Sequence, residues 1–358
     1  MAVRRGYGRA RGKPPAAATV VRGASGRRRG IDRDGGHTLI RYRAFRNSDP
    51  PALAEIWRSQ PAEHGRVQPM SAALFEQFVL SKPYFDNAGL IVAVDDQRPV
   101  GFAHAAFGPN ECGDCLARQM GSTCLVMVRT DYQGRGIGAE LLSRSETYLR
   151  QRGAEVIYGG GIAPLNGFYL GLYGGSELPG VLDSDASEQH LFESHGYREI
   201  DRVYVLEREL AGFRPPIDRQ QLQIRRRSTI EAIFDPPAHS WWEACAWSGL
   251  DQTLYELTSR DACRVVARAT AWSIEPLSSS WGVRAAGVTA LEVEEACRRQ
   301  GIATYFMSDI MRQLASQGTS LVQVQTMQAN VPAQKLYEKL GFRLVDQGAV
   351  YRKDGSSA

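Results

Sequence analysis

Two glycine-rich turns, each followed by an amphipathic helix, lie 165 residues apart in this chain. The first turn spans residues 133–138 and the second spans residues 298–303, and they align when Gly136 is placed on Gly301. At this offset the apolar residues of the two following helices fall on the same helical positions. Because the agreement extends from the turns into the helices, we interpret the chain as a tandem duplication of one α/β unit.

The duplication continues beyond these helices. A glycine follows each helix (Gly153 and Gly318), where a left-handed residue is expected, and a short strand-like run comes next in both copies. Each copy then has a second helix that ends in a glycine and an aromatic residue, but here the offset is 145 residues. The first copy therefore holds about twenty extra residues, around 168–187, whose Gly, Ser and Asp content predicts a loop.

The boundary between the copies is predicted from composition. The tract at 210–221 contains an Arg-Pro-Pro sequence and has the composition of a linker. We predict an N-terminal domain at 38–210, a linker at 211–221 and a C-terminal domain at 222–358. The N-terminal copy has two helical patterns before its three middle strands, whereas the C-terminal copy has little helical pattern there, so we expect its early region to be abbreviated.

Charge is unevenly distributed along the 358 residues. Residues 1–37 carry a net charge of +8, whereas the whole chain carries +4. This segment holds almost no large apolar side chains, so we predict a disordered basic tail. An RNA-binding or phosphate-binding arm is the alternative interpretation of the same charges.

Composition also bounds the environment of the protein. No apolar run approaches the roughly 20 residues that a membrane span needs, so we expect no contact with a membrane. The six cysteines are too sparse for a disulfide framework, and no apolar signal core follows the N-terminal charges. We therefore predict a cytoplasmic location.

The repeated turn has the features of a phosphate-binding loop. Each turn follows a strand, has the form Gln/Arg-x-x-Gly-x-Gly/Ala and opens a helix. Glycine lets the backbone approach an anion, the N–H groups of the turn point outward together, and the helix N-terminus favours negative charge. One such turn is weak evidence, but two in the same strand-turn-helix-strand-helix order are strong evidence for a phosphate site.

The sequence resembles the GNAT N-acetyltransferase superfamily, and it does so twice. The two turns match the family's pyrophosphate-binding signature, and Asn330, Ala333, Leu336, Tyr337 and the Gly-Phe pair at 341–342 match its C-terminal signature. The resemblance implies an α/β (mixed α+β) fold of two tandem GNAT domains, each a splayed mixed β-sheet flanked by helices. It also implies that acetyl-CoA lies between the fourth and fifth strands, with its pyrophosphate on the turn.

The resemblance supplies two sets of candidate cofactor-binding residues. In the C-terminal copy they are Val293, Arg298, Arg299, Gln300, Gly301, Ile302, Ala303, Thr304 and Asn330. In the N-terminal copy they are Val128, Gln133, Gly134, Arg135, Gly136, Ile137, Gly138 and Ala139.

The proton-transfer groups that the resemblance implies are present in one copy. Acetyl transfer needs an acceptor for the amine proton, a donor for the leaving thiolate and an N–H for the carbonyl oxygen. The C-terminal copy has Glu292 at the strand position of the base and Tyr337 at the helix position of the acid, with the Val293 backbone as the N–H donor. The N-terminal copy has Met127 and Phe192 at those positions, so we predict that the C-terminal copy is catalytic.

Each assignment has a structural alternative. Glu292 can be a solvent-facing carboxylate, Tyr337 a packing residue and Asn330 a helix cap before Pro332. The N-terminal copy keeps its turn, so it either binds acetyl-CoA without turnover or serves as a scaffold. A base from the Asp183–Asp185 segment or from His195 is the remaining route to an active N-terminal copy.

The other candidate features are weaker. The Cys112-x-x-Cys115 spacing is half of a zinc site, but no second pair follows it, so we predict no metal. His190 and His195 lie five residues apart, which is not a helical ligand spacing. The tryptophans of the C-terminal copy can line an acceptor pocket, but core packing is the favoured interpretation.

The sequence thus predicts an acetyl-CoA-dependent N-acetyltransferase that transfers an acetyl group directly to a primary amine in a ternary complex. A non-catalytic acyl-CoA sensor with the same tandem fold is the alternative, and an RNA-associated factor is the third hypothesis. The amine acceptor and the oligomeric state are not encoded in any motif that we recognise.

Overall fold

The computed structural model describes residues 39–165, 167–216 and 218–355 of the chain. The predicted basic tail at 1–37 lies outside these residues. Among the described residues, no helix has both the length and the apolar character needed to cross a bilayer.

The N-terminal half follows the predicted order of elements. A strand and two helices precede three long strands, and the second helix continues as a π-helical turn, Glu76–Leu80. Its strands are β1 (Arg41–Ala44), β2 (Leu90–Asp95), β3 (Arg98–Pro109), β4 (Leu116–Val128), β5 (Val156–Gly159), β6 (Gly161–Ile162), β7 (Pro179–Leu182) and β8 (Arg198–Glu209). Its helices are α1 (Pro50–Arg58), α2 (Ala72–Phe75), α3 (Ile137–Gln151) and α4 (Ala186–Ser194).

The C-terminal half repeats this order in shorter form. Its strands are β9 (Ser228–Phe234), β10 (Gln252–Ser259), β11 (Arg264–Ser273), β12 (Ala285–Val293), β13 (Leu321–Met327) and β14 (Arg343–Asp354). Its helices are α5 (Arg219–Arg227), α6 (Trp241–Ala246), α7 (Glu275–Trp281), α8 (Ile302–Ser316) and α9 (Val331–Lys339). Gly153 and Gly318, which follow α3 and α8, have φ values of 103° and 89°, as their sequence position predicts.

The strands of both halves join in one mixed sheet. Its order is β1-β2-β3-β4-β5-β14-β8-β13-β12-β11-β10-β9, with β6 and β7 attached to one side through β14. The two halves belong to one compact unit. The fold class predicted from the sequence is therefore confirmed, and the two splayed sheets are continuous with one another.

The centre of this sheet is built by exchange of strands between the halves. Strand β8 of the N-terminal half pairs antiparallel with β13 of the C-terminal half, and β14 of the C-terminal half pairs antiparallel with β5 of the N-terminal half. Strands β8 and β14 also pair with each other. Each half thus completes the sheet of the other. The boundary predicted at 211–221 divides the chain in sequence, but it does not separate two independent sheets.

Each half contains one pair of parallel strands that separates part of the way along. Strand β4 pairs with β5 from Met120 to Thr123, and β12 pairs with β13 from Ala285 to Gly287. Beyond these residues β4 and β12 continue without the parallel partner. A bulge follows in each strand, and in β12 it includes Ala290, whose φ is 51°. The result is a wedge between two strands in each half.

The insertion of the N-terminal half is irregular over most of its length, as its composition predicts, but it is buried. Phe168, Tyr169 and Leu172 are at most 2% exposed, and β7 lies within the same segment. These residues share a hydrophobic core with Trp272 and Trp242 of the C-terminal half. The insertion therefore fills the space between the halves, and core packing is confirmed for these two tryptophans.

The predicted linker is also more ordered than its composition suggests. Helix α5 begins at Arg219, inside the tract at 211–221, because the Asp218 carboxylate accepts a hydrogen bond from the Gln221 N–H at 2.8 Å. The C-terminal half thus has two helices, α5 and α6, before β10. Helix α5 packs against α8, which starts at the second glycine-rich turn.

Candidate active site

The glycine-rich turn of the N-terminal half is held to the end of β4 by its own side chains. The Gln133 amide donates to the Val128 carbonyl at 3.3 Å, and the Arg135 guanidinium donates to the Asp131 carbonyl at 2.8 Å. Gly134 and Gly136 have φ values of 73° and 77°, which a residue with a Cβ rarely adopts. The turn is therefore locked in place while its glycines remain accessible from outside.

The turn of the C-terminal half has the same internal bonds with different side chains. The Arg298 guanidinium donates to the Val293 carbonyl at 3.0 Å, and the Gln300 amide donates to the Ala296 carbonyl at 3.0 Å. The φ of Gly301 is 76°, whereas Arg299 has a φ of 62° at the position of a glycine in the first turn. The structure thus uses Gln133, Arg135, Arg298 and Gln300 to tie down backbone carbonyls.

Apart from those of Gln133 and Arg298, which donate to the Thr130 and Glu295 carbonyls at 3.4 and 3.1 Å, the backbone N–H groups of both turns have no acceptor in the part of the chain that the structure describes. The first turns of α3 and α8 have no side-chain cap, and Gly136 and Gly301 stand at their N-cap positions. A Cβ added to Gly134 or Gly136 would meet nothing within 4 Å. Free N–H groups at a helix N-terminus fit a diphosphate, and in the first turn open space lies beside them.

Helix α5 adds a contact to the second turn. The Gln220 amide donates to the Gln300 carbonyl at 3.0 Å, and the Gln221 amide is 3.3 Å from the Gly301 carbonyl. The same side chains lie against Gly301, because a Cβ added there would be 3.1 Å from the Gln220 side chain and 3.2 Å from the Gln221 amide nitrogen. The sequence assigned both glutamines to the linker, and only the capping Asp218 signalled a helix there.

The wedge of the N-terminal half is occupied by a carboxyl group. Glu188 lies in the first turn of α4, is 3% exposed, and its side chain accepts a hydrogen bond from the Val126 N–H at 2.7 Å. Val126 lies on β4 beyond the residues paired with β5. Burial raises the pKa of the Glu188 carboxyl well above its usual range, with a further contribution from Asp185.

The surroundings of this carboxyl group are also filled. Arg66 forms a buried ion pair with Asp185. Phe192, at the position of the predicted acid, is fully buried against Tyr351 and Gly159. The wedge of the N-terminal half is therefore packed with the protein's own side chains.

The wedge of the C-terminal half lacks this carboxyl group. At the 145-residue offset, Ala333 replaces Glu188 and Tyr337 replaces Phe192. Tyr337 is 5% exposed, packs against Phe342, and its hydroxyl has no hydrogen-bond partner among the described residues. Burial raises the pKa of this phenol, and the carboxyl group of Glu177 raises it further. A neutral tyrosine with a free hydroxyl is suited to donate a proton.

Glu292 lies on the exposed part of β12. It is paired across the strands with Arg268, whose guanidinium binds the carboxylate of Glu256 at 2.7 Å. Leu291 and Val293 face the hydrophobic core of this half, so the Glu292 side chain points to the other face. The structure thus places Glu292 on an accessible sheet surface, beside a cation that another carboxylate already binds.

Three other predicted residues lie in the first turn of a helix or cap it. The side chain of Asn330 accepts a hydrogen bond from the Ala333 N–H at 3.2 Å and caps α9. Ile302 and Thr304 lie in the first turn of α8, where the Thr304 side chain is buried. Among the described residues the structure therefore brings the C-terminal turn, the wedge and Tyr337 together, and it leaves Glu292 on the open face of the sheet.

A large surface cavity of about 640 Å³ lies elsewhere in the C-terminal half. Its walls come from the beginning of β12, from α7 and from the end of α8, so it is at the other end of β12 from the wedge. Within the described ranges, no group of three His, Cys, Asp or Glu side chains has the arrangement of a metal site.

The comparison with protein families identifies the class of this fold. The model of the acetyltransferase (GNAT) family matches residues 51–173 and, separately, residues 222–342. The chain belongs to this family, and it contains the family's domain twice. No curated protein sequence matches the chain.

Solved structures support the tandem arrangement. A GCN5-related glucosamine N-acetyltransferase region of a fungal multi-domain β-N-acetylglucosaminidase superimposes with a TM-score of 0.67 and 18% identity, over 90% of this chain and 39% of that one. A tandem GNAT protein from the clavulanic acid biosynthesis pathway has a TM-score of 0.61 and 12% identity, over 89% of this chain and 100% of that one. A GCN5-related N-acetyltransferase from Sphaerobacter thermophilus has a TM-score of 0.60 and 16% identity, over 88% and 95%. At these identities the similarity establishes the fold.

Proposed function

We propose that this protein is an acetyl-CoA-dependent N-acetyltransferase whose C-terminal half carries out the transfer to a primary amine in a ternary complex. The observation that supports it most strongly is the contrast between the two wedges. Glu188 fills one, whereas the other presents Ala333 and the free hydroxyl of Tyr337. The proposed location is the cytoplasm, a compartment that supplies acetyl-CoA.

The turn before α8 is the proposed binding site of the diphosphate. Its free N–H groups and the N-terminus of α8 favour a doubly charged anion, and Arg299 adds a positive side chain on its exposed surface. Acetyl-CoA supplies an activated acetyl group as a thioester. The wedge between β12 and β13 gives this group a path from the turn to Tyr337.

The residues of the C-terminal half have separate proposed roles. The Tyr337 hydroxyl protonates the leaving sulfur, and the Val293 N–H stabilises the negative charge on the carbonyl oxygen. Glu292 holds the strand position of the base and draws the cationic amine to the open face of the sheet. Because Glu292 is exposed, solvent screens its attraction for the cationic amine.

A matched pair of variants tests the cofactor site. Ala303→Glu and Gly138→Glu place a carboxylate at the same position of the two turns, where it repels a diphosphate while suiting a helix N-terminus. We expect calorimetry to show one acetyl-CoA bound per chain in the wild type and in Gly138→Glu, and none in Ala303→Glu. No uptake of acetyl-CoA by the wild type would overturn the proposal.

The transfer itself is tested with a panel of amines and detection of free coenzyme A thiol. Glucosamine belongs in the panel because a structurally similar fungal region is described as a glucosamine N-acetyltransferase. Spermidine and a peptide with a free N-terminus represent other primary amines. Turnover that falls in Tyr337→Phe supports the mechanism, whereas tight acetyl-CoA binding without any acetylated product would favour the sensor function.

A further inference from the structure

The buried insertion of the N-terminal half crosses the wedge of the C-terminal half. The Ser176 N–H donates to the Gln323 side chain at 2.6 Å, and the Gln325 side chain donates to the carbonyls of Gly174 and Glu177 at 2.8 and 3.0 Å. Both glutamines lie on β13. The segment at 174–177 is therefore attached to one wall of the wedge by backbone and side-chain hydrogen bonds.

The same segment also contacts the other wall of the wedge. A Cβ added to Gly287, the last residue of β12 that pairs with β13, would lie 2.6 Å from the Ser176 Cβ. The Trp272 indole donates to the Ser176 carbonyl at 3.1 Å, which fixes the segment from β11 as well. The segment thus lies across the two strands where they begin to separate.

Glu177 is the ionisable residue of the segment at 174–177, and it lies at the wedge. Its side chain is partly buried, and it has no hydrogen-bond or ion-pair partner in the described part of the chain. Tyr337 lies on α9, which packs with the core on the opposite face of β13, and the two side chains interact electrostatically. Glu177 and Tyr337 therefore approach the wedge from its two sides.

Polar atoms without partners accompany Glu177. The Ser176 hydroxyl and the Gln325 side-chain oxygen are buried and form no hydrogen bond within the described residues. Buried polar atoms in proteins are nearly always paired, so such a group indicates a place for a ligand or water. Ser176 precedes Glu177 in the chain, and the Gln325 amide donates to the Glu177 backbone carbonyl, so both unpaired oxygen atoms belong to the surroundings of this residue and are suited to receive the N–H groups of an ammonium.

We propose that Glu177, supplied by the N-terminal half, is the proton acceptor for the amine in the C-terminal active site. The inference rests on the acetyltransferase function proposed above. It implies that the acceptor enters the site as a positively charged ammonium. Glu177 takes one proton from the ammonium and passes it to solvent. The nitrogen lone pair then forms the C–N bond while the C–S bond breaks. Tyr337 protonates the sulfur and recovers a proton from the nitrogen, so the step balances.

The environment of Glu177 suits a base that works near neutral pH. Burial raises the pKa of its carboxyl group to about 7, so that the group exchanges protons under ordinary conditions. Other titratable groups face the same segment. Glu207 binds the Gln323 amide at 2.9 Å, and His64 binds Glu207 at 2.8 Å with a pKa raised by that hydrogen bond.

The first experiment compares turnover in Glu177→Gln and Glu177→Asp with the wild type, using the amine of the panel that gives the highest rate. We expect Glu177→Gln to lower kcat by about 100-fold or more without changing the affinity for acetyl-CoA. Glu177→Asp should recover part of the loss. Glu231→Gln, on the exposed edge strand β9, is the matched control and should behave as the wild type.

A second readout does not depend on turnover. Infrared difference spectra of the protein alone should contain a carboxyl band that titrates near pH 7 in the wild type, persists in His64→Asn and is absent from Glu177→Gln. When the rate of turnover is plotted against pH, the decrease on the acidic side should move to another pH in Glu177→Gln and stay at the wild-type pH in His64→Asn.

The outcomes separate the two proposals. A wild type that binds no acetyl-CoA or acetylates no amine contradicts the proposed function, and the role of Glu177 is then rejected with it. A wild type that turns over while Glu177→Gln keeps its rate and its pH profile contradicts the role of Glu177 alone. In that case Glu292→Gln should show the decrease in kcat, and the exposed carboxylate of Glu292 would be the base.

Discussion

Arg299 holds a left-handed backbone conformation, with a φ of 62°, at a position where the first turn has Gly134. An L-residue in this region costs about 1–2 kcal/mol relative to a right-handed conformation. Such strain persists where the side chain has a use, and the exposed guanidinium beside free N–H groups is suited to hold a phosphate. We therefore infer that Arg299 lowers the stability of the second turn and gives it a positive charge.

This interpretation predicts opposite effects of exchanging the two residues. Arg299→Gly should raise the free energy of unfolding by about 0.5 kcal/mol, because relief of strain exceeds the added freedom of the unfolded chain. It should also weaken acetyl-CoA binding, because one cation is lost. Gly134→Arg should lower stability by a similar amount, with no effect on binding. Urea denaturation and calorimetry measure both, and a weakened Arg299→Gly fold would refute the strain argument.

Glu188 gives a second prediction at the level of a single side chain. The raised pKa of its carboxyl group means that the folded protein holds a proton that the unfolded chain loses above roughly pH 4.3. The stabilisation is fully present below that value and is lost as the pH rises toward the pKa of the folded state. Glu188→Gln stays neutral and keeps an oxygen for the Val126 N–H.

We therefore expect the stability of Glu188→Gln to increase relative to that of the wild type as the pH is raised. Urea denaturation of both proteins from acidic to alkaline pH measures this difference. If the two curves run parallel over the whole range, Glu188 is ionised in the folded state and the wedge contains a charge.

Helix α6 is only six residues long, and a lysine of the N-terminal half stabilises its end. Lys82 is 4% exposed, and its ammonium donates to the carbonyls of Cys245, Ala246 and Ser248 at 3.2, 2.9 and 3.3 Å. The last carbonyls of a helix have no partner within it, so Lys82 supplies the missing donors.

Replacing this lysine should loosen the contact between the halves. Lys82→Met keeps the length of the side chain but leaves the buried Ala246 carbonyl without a donor, which should cost about 2 kcal/mol in the free energy of unfolding. Lys335→Met, at an exposed position of α9, is the control and should change stability little. An unchanged midpoint in urea for Lys82→Met would mean that water replaces the ammonium.

The elements that the sequence predicted are those with local signals. The turns, the helices α3 and α8 and the glycines after them follow from residues near one another in the chain. The start of α5 was missed because one capping aspartate is a weak signal inside a proline-rich tract. The burial of Phe168 and Tyr169 was missed because it depends on aromatic residues such as Tyr84 and Trp57, which lie roughly 80 to 110 residues away in the chain.

The residues of the candidate site also fall into two groups, those with a local signal in the sequence and those without one. Tyr337 and the second turn were predicted by motif, whereas Glu177 and Glu188 were not, because their roles arise from packing between distant segments. For Glu188 a signal existed, since Ala333 stands at the equivalent position. For Glu177 none existed, because the inserted segment has no counterpart in the C-terminal copy.

At the scale of the whole molecule, the exchanged strands make the halves interdependent. Strand β8 lies between β13 and β14, so separating the halves would break both of its ladders. The chain between β8 and α5 is exposed around Ala211 and Gly212 and contributes little to this interface. Covalent continuity is therefore not needed to keep the folded halves together.

A protease site introduced after Gly212 tests this conclusion. After cleavage, we expect the two pieces to elute together in size-exclusion chromatography and to separate only in denaturant. Acetyl-CoA binding should survive the cut. Two separate folded peaks after cleavage in buffer alone would show that the exchanged strands do not hold the halves together.

The position of β14 has a consequence for biosynthesis. On the ribosome, β5 and β8 emerge long before β14, which pairs with both of them in the finished sheet. Until residues 343–354 leave the exit tunnel, β5 and β8 of the nascent N-terminal half have unpaired N–H and C=O groups along one edge. Such edges can pair with strands of other chains. Newly made chains of this protein should therefore depend on chaperones until translation has passed that strand.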